Sequence, residues 1–257
     1  MSSFIVIRSY TTFDNFFCKE LLKTSIMDSL NETFLGILTD KPVMITLNAL
    51  VLILMFMLIV VGYPIIYCII ILLIPSIVLY IFLYAMFWYE TRNVENETST
   101  ILRTYTSDNS SCFWIVEAYD NYLVDRSQRK SRYIFMTQEQ FNRSNHSTSS
   151  HTKKSVGIIG FCKSNRIQNS GWIKRLCIHK DYRRIGIGSY LINQVIQFGY
   201  EQGYESINVL ISQYEIKALI LFGNKGFRTQ NIHSKPSFKF ITFYELKYEM
   251  KDYHPRY

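Results

Sequence analysis

The sequence predicts a mixed α/β domain that carries an apolar helical hairpin close to its N-terminus. Strand and helix patterns alternate through the polar part of the chain after residue 110, which favours a mixed twisted sheet with helices on both faces. By contrast, no Asp, Glu, Lys or Arg occurs from Pro42 to Tyr89. The chain has 257 residues, enough for one ordinary domain plus an appendage, and its 48% hydrophobic content excludes a wholly disordered protein.

The first forty residues (1–40) predict one strand and one helix that belong to the polar domain. Residues 4–10 are mostly apolar and fit a short strand, while residues 13–38 have helical spacing. Five apolar side chains form the predicted buried stripe of this helix: Phe13, Phe16, Phe17, Leu21 and Leu22. Charged residues occur throughout the segment and the first long apolar run begins only near Val43, so we expect no cleavable signal peptide.

Residues 42–89 predict a two-span transmembrane hairpin. As a single helix these 48 residues would measure about 72 Å, against a hydrocarbon core of about 30 Å. The sequence Gly-Tyr-Pro at 62–64 breaks the run, because proline lacks the backbone donor and disfavours helix before it. We therefore expect one span over Val43–Val61 and a second over Ile65–Trp88. A pair of buried soluble helices and a re-entrant loop remain as alternatives.

A hairpin returns both of its ends to one side of the membrane, so residues 1–40 and 90–257 are expected to share that side. Basic residues flank the hairpin and favour the cytosolic side: Lys23, Lys41, Arg92 and Arg103. Aromatic residues lie at the end of the second span, where interfacial rings belong: Tyr84, Trp88 and Tyr89. The lipid bilayer is therefore a predicted partner.

Residues 125–155 differ from the rest of the polar domain because they are rich in Ser, Asn and basic residues. The basic residues are Arg126, Arg129, Lys130, Arg132, Arg143, Lys153 and Lys154. We interpret the segment as a solvated low-complexity insertion between two strands. The net charge of +8 leaves a nucleic-acid patch as the alternative, but few aromatic residues lie among the basic ones. The sequence therefore argues against nucleic acid.

The other segments of residues 90–257 alternate between strand and helix patterns. The predicted strands are Cys112–Val116, Val156–Lys163, Gly171–Ile178, Ile207–Ile211 and Phe238–Tyr248. The predicted helices are Gly186–Gln202, which is amphipathic, and Glu215–Lys225. Five cysteines occur with no CxxC and no His at metal-ligand spacing, which argues against a disulfide framework and against a metal site.

The most informative stretch runs from Leu176 to Gly188 and joins a strand to a helix through a basic turn. Gly186 and Gly188 let a ligand approach the backbone closely, and the first amides of the helix carry the positive end of its dipole. Arg183 and Arg184 add charge, so the turn predicts an anion site suited to a diphosphate. A turn that merely needs small residues is the alternative.

The pattern Arg183-x-x-Gly186-x-Gly188 after a strand resembles the acetyl-CoA-binding motif of the GNAT N-acetyltransferases. Residues 218–227, Ala-Leu-Ile-Leu-Phe-x-x-x-Gly-Phe, are similar to that superfamily's later helix and Gly-Phe turn. Residues 112–118 resemble a strand of the camello / N-acetyltransferase 8-like branch, which also places a hydrophobic membrane segment ahead of its catalytic strands. The resemblance implies a GNAT fold, and we expect the endoplasmic reticulum membrane with the catalytic domain cytosolic.

The resemblance implies acetyl-CoA as co-substrate and assigns ten residues to its binding. These are Leu176, Cys177, Ile178, Arg183, Arg184, Ile185, Gly186, Ile187, Gly188 and Ser189. The pantetheine arm would lie along the strand that ends at Ile178, and the pyrophosphate would sit on the amides of residues 184–189. A primary amine would attack the thioester directly, and the strand amide near Ile178 would polarise the carbonyl.

The general base is left open, with Glu117 and His179 as candidates. Glu117 lies on the second strand of the domain and can equally be an exposed side chain. His179 follows the binding strand and its ordinary pKa suits base catalysis, but a solvent-facing loop His is the alternative. Cys177 is interpreted as a strand packing residue. Two positions depart from the superfamily pattern, since Phe222 replaces the usual tyrosine acid and Glu215 replaces a frequent Asn.

The sequence thus predicts a membrane-bound N-acetyltransferase that moves an acetyl group to a primary amine. The acceptor classes are an amino acid, an amino-acid conjugate or a protein lysine. The rival function is a non-catalytic membrane interaction protein on a degenerate CoA-binding GNAT fold. No metal is implied.

Overall fold

A computed structural model describes residues 3–40, 42–98, 105, 110–121, 133–144, 151–164, 167–235 and 238–253. The chain divides into two compact units. One unit comprises residues 1–25 together with 94–257, and the other comprises residues 26–93. The first unit holds the sheet and the second holds the apolar helices, as the composition predicts.

The first unit contains an eight-stranded sheet in the part of the chain described. Its strands are β1 (Ser3–Ser9), β2 (Cys112–Asn121), β3 (Tyr133–Thr137), β4 (His151–Lys163), β5 (Ser170–Ile178), β6 (Ser206–Ser212), β7 (Arg228–Lys235) and β8 (Phe238–Glu249). The strand order is β3-β1-β2-β4-β5-β6-β8-β7. Pairs β1–β3 and β5–β6 are parallel and the other pairs are antiparallel, so the sheet is mixed as predicted.

The helices are α1 (Asn15–Asp40), α2 (Pro42–Val60), α3 (Ile65–Thr98), α4 (Gln138–Arg143), α5 (Ile187–Glu201) and α6 (Ile216–Gly223). Helix α5 covers one face of the sheet and buries five apolar side chains there: Ile187, Leu191, Ile192, Val195 and Ile196. Each such side chain contributes roughly 1.5–3 kcal/mol of transfer free energy. On the opposite face, Phe141 of α4 packs against Phe4, Val6, Tyr119 and Met136. Helices therefore lie on both faces of the sheet.

The interpretation of residues 125–155 as a solvated loop is wrong where the structure describes them. Residues 133–143 form β3 and α4, and residues 151–155 begin β4. Met136 is buried against the β1 side chains, and β3 pairs in parallel with β1. Basic and polar residues surround this short strand, so the composition of the segment did not reveal the alternation of its apolar side chains. Residues 125–132 and 145–150 lie outside the described residues.

The predicted apolar stripe of α1 is correct only in its second half. Leu21 and Leu22 are buried, but Phe13 is 95% exposed and Phe16 is 78% exposed. Asp14 is buried instead, because it pairs with Arg8 of β1. Phe13 and Asp14 lie in the 3-10 turn Thr12–Asp14 that precedes α1, so helical spacing did not predict which of these two side chains is buried.

The second unit contains α2 and most of α3, with residues 61–64 between these helices as predicted. By length and composition one helix, Ile65–Val94, could cross a membrane. The segments Thr12–Asp40 and Met44–Val60, bent by 70°, pass the same test only as a pair. Both predicted segments are helical, and the two-span hairpin stays a prediction.

Candidate functional site

Strands β5 and β6 pair only at their N-terminal ends. The parallel ladder runs over four residue pairs, from Ser170–Ser206 to Ile173–Val209. Both strands continue beyond this ladder, β5 to Ile178 and β6 to Ser212, without pairing to each other. The sheet is therefore splayed at the carboxyl ends of these two strands.

A β-bulge in β5 explains the splay. Cys177 pairs with Ile158 and Lys174 pairs with Gly160, so Arg175 and Leu176 stand opposite a single β4 residue. Arg175 has a φ of 58°, in the left-handed region that is uncommon for a residue other than glycine. Bulges bend a strand and increase its twist, which turns the end of β5 away from β6.

The turn after β5 leads directly into α5. Residues Lys180–Tyr182 form a 3-10 turn, and Arg184 and Gly186 have positive φ values of 66° and 99°. Gly186 is the N-cap of α5 and provides no side-chain cap. The first amides of α5 are therefore available, with the positive end of the helix dipole, to an anion.

Gly188 is required by packing within the domain. A β-carbon at this position would approach Leu221 Cδ2 at 3.0 Å and Ile178 Cδ1 at 3.4 Å. Helices α5 and α6 and the end of β5 therefore converge on Gly188, which is buried. A larger residue here would displace Leu221. Substitution of Gly188 should therefore destabilise the fold, in addition to hindering the close approach of a ligand that the sequence predicts.

The predicted binding residues take three different positions around the splay. The side chains of Leu176, Ile178 and Ile185 pack against the core on the α5 face. Ile187 and Gly188 are buried at the start of α5, whereas Arg183 and Arg184 are exposed. Arg183 Nε donates to the carbonyl oxygen of Ile178 at 2.9 Å, so this arginine stays beside the strand end.

Cys177 points to the other face of the sheet, towards α1. Its pairing partner Ile158 is fully buried, and the thiol forms a hydrogen bond with Ser25. Burial raises the pKa of the Cys177 thiol, which keeps it protonated and a poor nucleophile. This geometry agrees with the interpretation of Cys177 as a packing residue.

His179 lies at the junction of β5 and the basic turn. Its backbone N–H donates to Val156 at 2.8 Å, and its Nδ1 accepts from the Asp181 N–H at 3.4 Å. Burial lowers the pKa of His179 below 6.5, and the nearby Lys154 charge lowers it further. The imidazole is therefore neutral at physiological pH, the form that a general base needs.

Glu117 is fully buried, which corrects the expectation that it could be exposed. Its carboxylate accepts from Arg8 Nε at 2.6 Å and pairs with Lys153 Nζ at 3.0 Å. The Tyr119 hydroxyl donates to the same carboxylate at 3.2 Å. These bonds connect β1, β2 and β4, and none of them joins Glu117 to His179. The structure thus gives Glu117 a cross-strand ion-pair role.

The two departures from the superfamily pattern lie at the β6 end of the splay. Phe222 is buried and packs edge-to-face on Phe227, with ring centroids 5.0 Å apart. Glu215 precedes α6, and its carboxylate accepts from the Ser212 N–H at 3.0 Å. Within the described residues no cluster of His, Cys, Asp and Glu could hold a metal ion.

One neighbour of the turn after β5 was not predicted from the sequence. The Phe135 ring of β3 lies 3.5 Å from the position of a β-carbon on Gly186 and packs on Tyr190 of α5 at 5.1 Å between ring centroids. The only signal in the sequence was a short apolar alternation, Tyr-Ile-Phe-Met, inside a polar segment.

Residues 115–227 match the model of the acetyltransferase (GNAT) family. This part of the chain is therefore similar to the GNAT family. Its mixed sheet and helices are a GNAT α/β fold, and the curated relatives belong to the camello and N-acetyltransferase 8 group. Human N-acetyltransferase 8 is 22% identical over 139 residues, which covers 51% of this chain and 45% of that protein.

A camello N-acetyltransferase of Xenopus tropicalis is 26% identical over 84 residues, 33% of this chain and 38% of that protein. The matches thus span less than half the length of these relatives. Among solved structures, spermidine N-acetyltransferase from Vibrio cholerae in complex with CoA and spermine aligns over 96% of each chain. Its sequence identity is 11% and its TM-score is 0.49.

Proposed function

We propose that this protein is a membrane-bound N-acetyltransferase that moves the acetyl group of acetyl-CoA to a primary amine. The observation that carries the proposal is the splay of β5 and β6 beside the uncapped start of α5, within the residues that match the GNAT family model. The splay leaves room for an extended arm along β5, and the helix start suits a diphosphate. One geometry therefore accommodates both halves of the CoA molecule.

The charge around the turn supports phosphate binding. Arg183, Arg184 and Lys180 are exposed on the turn, and Lys154 Nζ lies 5.7 Å from the centre of the Tyr182 ring. We assign the pyrophosphate to the amides of residues 184–189, and the pantetheine to the β5 backbone near Leu176 and Ile178. Cys177 and Ile185 complete the binding segment by packing on opposite faces of the sheet.

The proposed reaction is direct transfer. The neutral amine nitrogen attacks the thioester carbonyl carbon, a C–N bond forms, the C–S bond breaks, and CoA leaves as the thiolate. The amine loses one proton, and the thiolate takes up one proton from solvent or a nearby hydroxyl. A CoA thiol ionises at about pH 8.5, so its thiolate can leave without a dedicated acid.

For the proton acceptor we favour His179 over Glu117. His179 is neutral and partly exposed beside the proposed binding turn. Glu117 is already bound to two cations and one hydroxyl, so its carboxylate oxygens are occupied by partners within the sheet. The acceptor is an amino acid, an amino-acid conjugate or a protein lysine.

The membrane attachment is proposed from the second unit. Apolar side chains of α2 and α3 are widely exposed, for example Val60 at 69% and Ile66 at 65%. Strand β1 precedes these helices and pairs with β2, which follows them, so an even number of crossings is required. We therefore propose a hairpin in the endoplasmic reticulum membrane with the sheet on the cytosolic side. Arg92 stacks on Trp88 at 4.4 Å, a pairing suited to the interface.

Topology is tested with tags at both termini in sealed microsomes. Digestion of both tags by external protease supports the proposed orientation. Protection of one tag alone contradicts the hairpin. Glycosylation of the sequon at Asn142 would place the sheet in the lumen and contradict the cytosolic orientation.

A second candidate function is a non-catalytic CoA-binding interaction protein, which Phe222 favours because it lacks the hydroxyl of the usual tyrosine. Purified full-length protein in detergent micelles distinguishes the two functions. Calorimetry measures acetyl-CoA binding, and thiol release is followed over a panel of amines. Amine-dependent thiol release supports the enzyme, and binding without release supports the rival.

A further inference from the structure

A single buried carboxylate joins the inserted strand β3 to the turn that follows β5. The Tyr182 hydroxyl donates to Asp120 Oδ2 at 2.5 Å, and the Tyr133 hydroxyl donates to Asp120 Oδ1 at 2.8 Å. Asp120 is 4% exposed and Tyr182 is 5% exposed. Hydrogen bonds to an ionised acceptor are roughly twice as strong as neutral ones, and burial strengthens them further.

Tyr182 is well placed to transmit this restraint to the proposed cofactor turn. It is the last residue of the 3-10 turn and immediately precedes Arg183. Its backbone N–H donates to the His179 carbonyl at 2.9 Å, and its ring packs edge-to-face near His179 at 6.1 Å. A restrained Tyr182 side chain therefore restrains the segment from His179 to Tyr182.

The inserted strand supports the other end of the turn as well. The Phe135 ring lies 3.5 Å from a β-carbon position on Gly186 and packs on Tyr190, in the first turn of α5. Tyr133 and Phe135 alternate along β3 and both pack against the core on the α5 face. Strand β3 is thus linked to the turn by the hydrogen bonds of Tyr133 and Tyr182 to Asp120. It contacts the start of α5 through Phe135.

We propose that Asp120 is a positioning residue for the cofactor turn, and that β3 of the insertion is part of the support for the acetyl-CoA site. The inference rests on the proposed function. Asp120 acts through Tyr182 and does not touch the co-substrate. Strand β2 is also held by its ladder with β4, which spans ten residue pairs. Loss of the carboxylate should therefore loosen the turn more than the sheet.

The test compares Tyr182→Phe, Tyr133→Phe and Asp120→Asn in the full-length protein, with Tyr204→Phe as matched control. Tyr204 is 7% exposed and its hydroxyl donates to the Ser110 carbonyl at 2.7 Å, so the control removes one comparable bond elsewhere. We expect Tyr182→Phe to weaken acetyl-CoA binding about tenfold by calorimetry, since a bond to a charged group is lost. Tyr204→Phe should leave the Kd unchanged, although it also loses a tyrosine hydroxyl hydrogen bond.

Steady-state kinetic constants distinguish a positioning role of Asp120 from general damage to the fold. We expect the KM for acetyl-CoA to rise in Tyr182→Phe, while kcat at saturation and the KM for the amine stay near the unmodified values. Tyr182→Phe combined with Asp120→Asn should weaken binding little more than Asp120→Asn alone. A Kd that stays constant in Tyr182→Phe and in Asp120→Asn would overturn the proposal.

Hydrogen exchange of the ligand-free protein gives a readout that does not need acetyl-CoA. We expect faster exchange in Tyr182→Phe confined to residues 179–189, and uniform change or no change there would overturn the positioning role. If the unmodified protein bound no acetyl-CoA, the proposed function would fail, and local loosening of the turn would still support the role of Asp120. The two failures are therefore distinguishable.

Discussion

The Arg8 guanidinium lies between two carboxylates, with its Nε 2.6 Å from Glu117 Oε1 and its Nη2 2.6 Å from Asp14 Oδ1. Glu117 is on β2 and Asp14 precedes α1, so one side chain of β1 connects the segment before the apolar helices to the sheet after them. The relationship fixes the first strand in the domain and identifies Glu117 as part of an ion-pair network.

Removal of Arg8 should destabilise the domain. Breaking a buried ion pair by deleting one partner typically costs about 3–5 kcal/mol. Because Arg8 is partly exposed, we expect Arg8→Ala to lower the free energy of unfolding by about 3 kcal/mol. Chemical denaturation in detergent measures this loss. A loss of less than about 1 kcal/mol would show that the pairs are no stronger than surface ion pairs.

Acid should also weaken this network. Burial alone would raise the pKa of Asp14, but hydrogen bonds from Arg8 and Thr11 lower it below its ordinary value. A carboxyl with a lowered folded pKa stabilises above its unfolded pKa of about 3.9 and loses that contribution as pH falls through the folded value. Asp14→Asn should therefore flatten the loss of Tm below about pH 4. Asp252→Asn, at an exposed position after β8, is the control and should leave the loss of Tm unchanged.

The sequence was sufficient for the parts of the fold that repeat a regular pattern. The strand ending at Ile178, the amphipathic helix after Gly186 and the first apolar helix were predicted with bounds close to those observed. The second apolar helix begins at Ile65 as predicted but continues to Thr98, ten residues beyond the predicted end at Trp88. Strand β3 was missed because its partner β1 is more than a hundred residues away in sequence, and composition does not record pairing. The bulge at Arg175 was missed for the same reason, since it depends on register with β4.

Two glycines with positive φ allow a matched test of the turn. Gly186 has a φ of 99° in the proposed site, and Gly203 has a φ of 74° with open space around its β-carbon position. Alanine at either position should cost about 1 kcal/mol of stability, because its backbone disfavours this region. Only Gly186→Ala should weaken acetyl-CoA binding in calorimetry. Equal affinities in both variants would contradict the assignment of the turn.

His179 should set the acidic limb of the rate profile. Burial and Lys154 lower its pKa below 6.5, so the neutral base predominates above that pH. We expect kcat to rise with pH through this lowered pKa and then level off. In His179→Gln this rise with pH should disappear, and the rate should be roughly 10²- to 10⁴-fold lower, the size of general base catalysis. His233→Gln on β7 is the control and should keep the limb. A limb that persists in His179→Gln would exclude His179 as the base.

Phe222→Tyr tests the missing acid. The tyrosine would restore the hydroxyl of the superfamily at a buried position beside Phe227, and we expect a gain in turnover of up to about 10²-fold. Phe227→Tyr adds the same hydroxyl on the neighbouring ring and should give no gain. An unchanged rate in Phe222→Tyr would mean that solvent already protonates the thiolate efficiently.

Acetyl transfer by the full-length protein tests the central claim most directly. Acetyl-CoA and a panel of amino acids, amino-acid conjugates and lysine peptides are incubated with the protein, and both free thiol and the acetylated amine are measured. We expect equal amounts of the two products, at a rate that falls in Gly186→Ala and is unchanged in Gly203→Ala. Bound acetyl-CoA with no acetylated amine from any member of the panel, in both the unmodified protein and Phe222→Tyr, would contradict it.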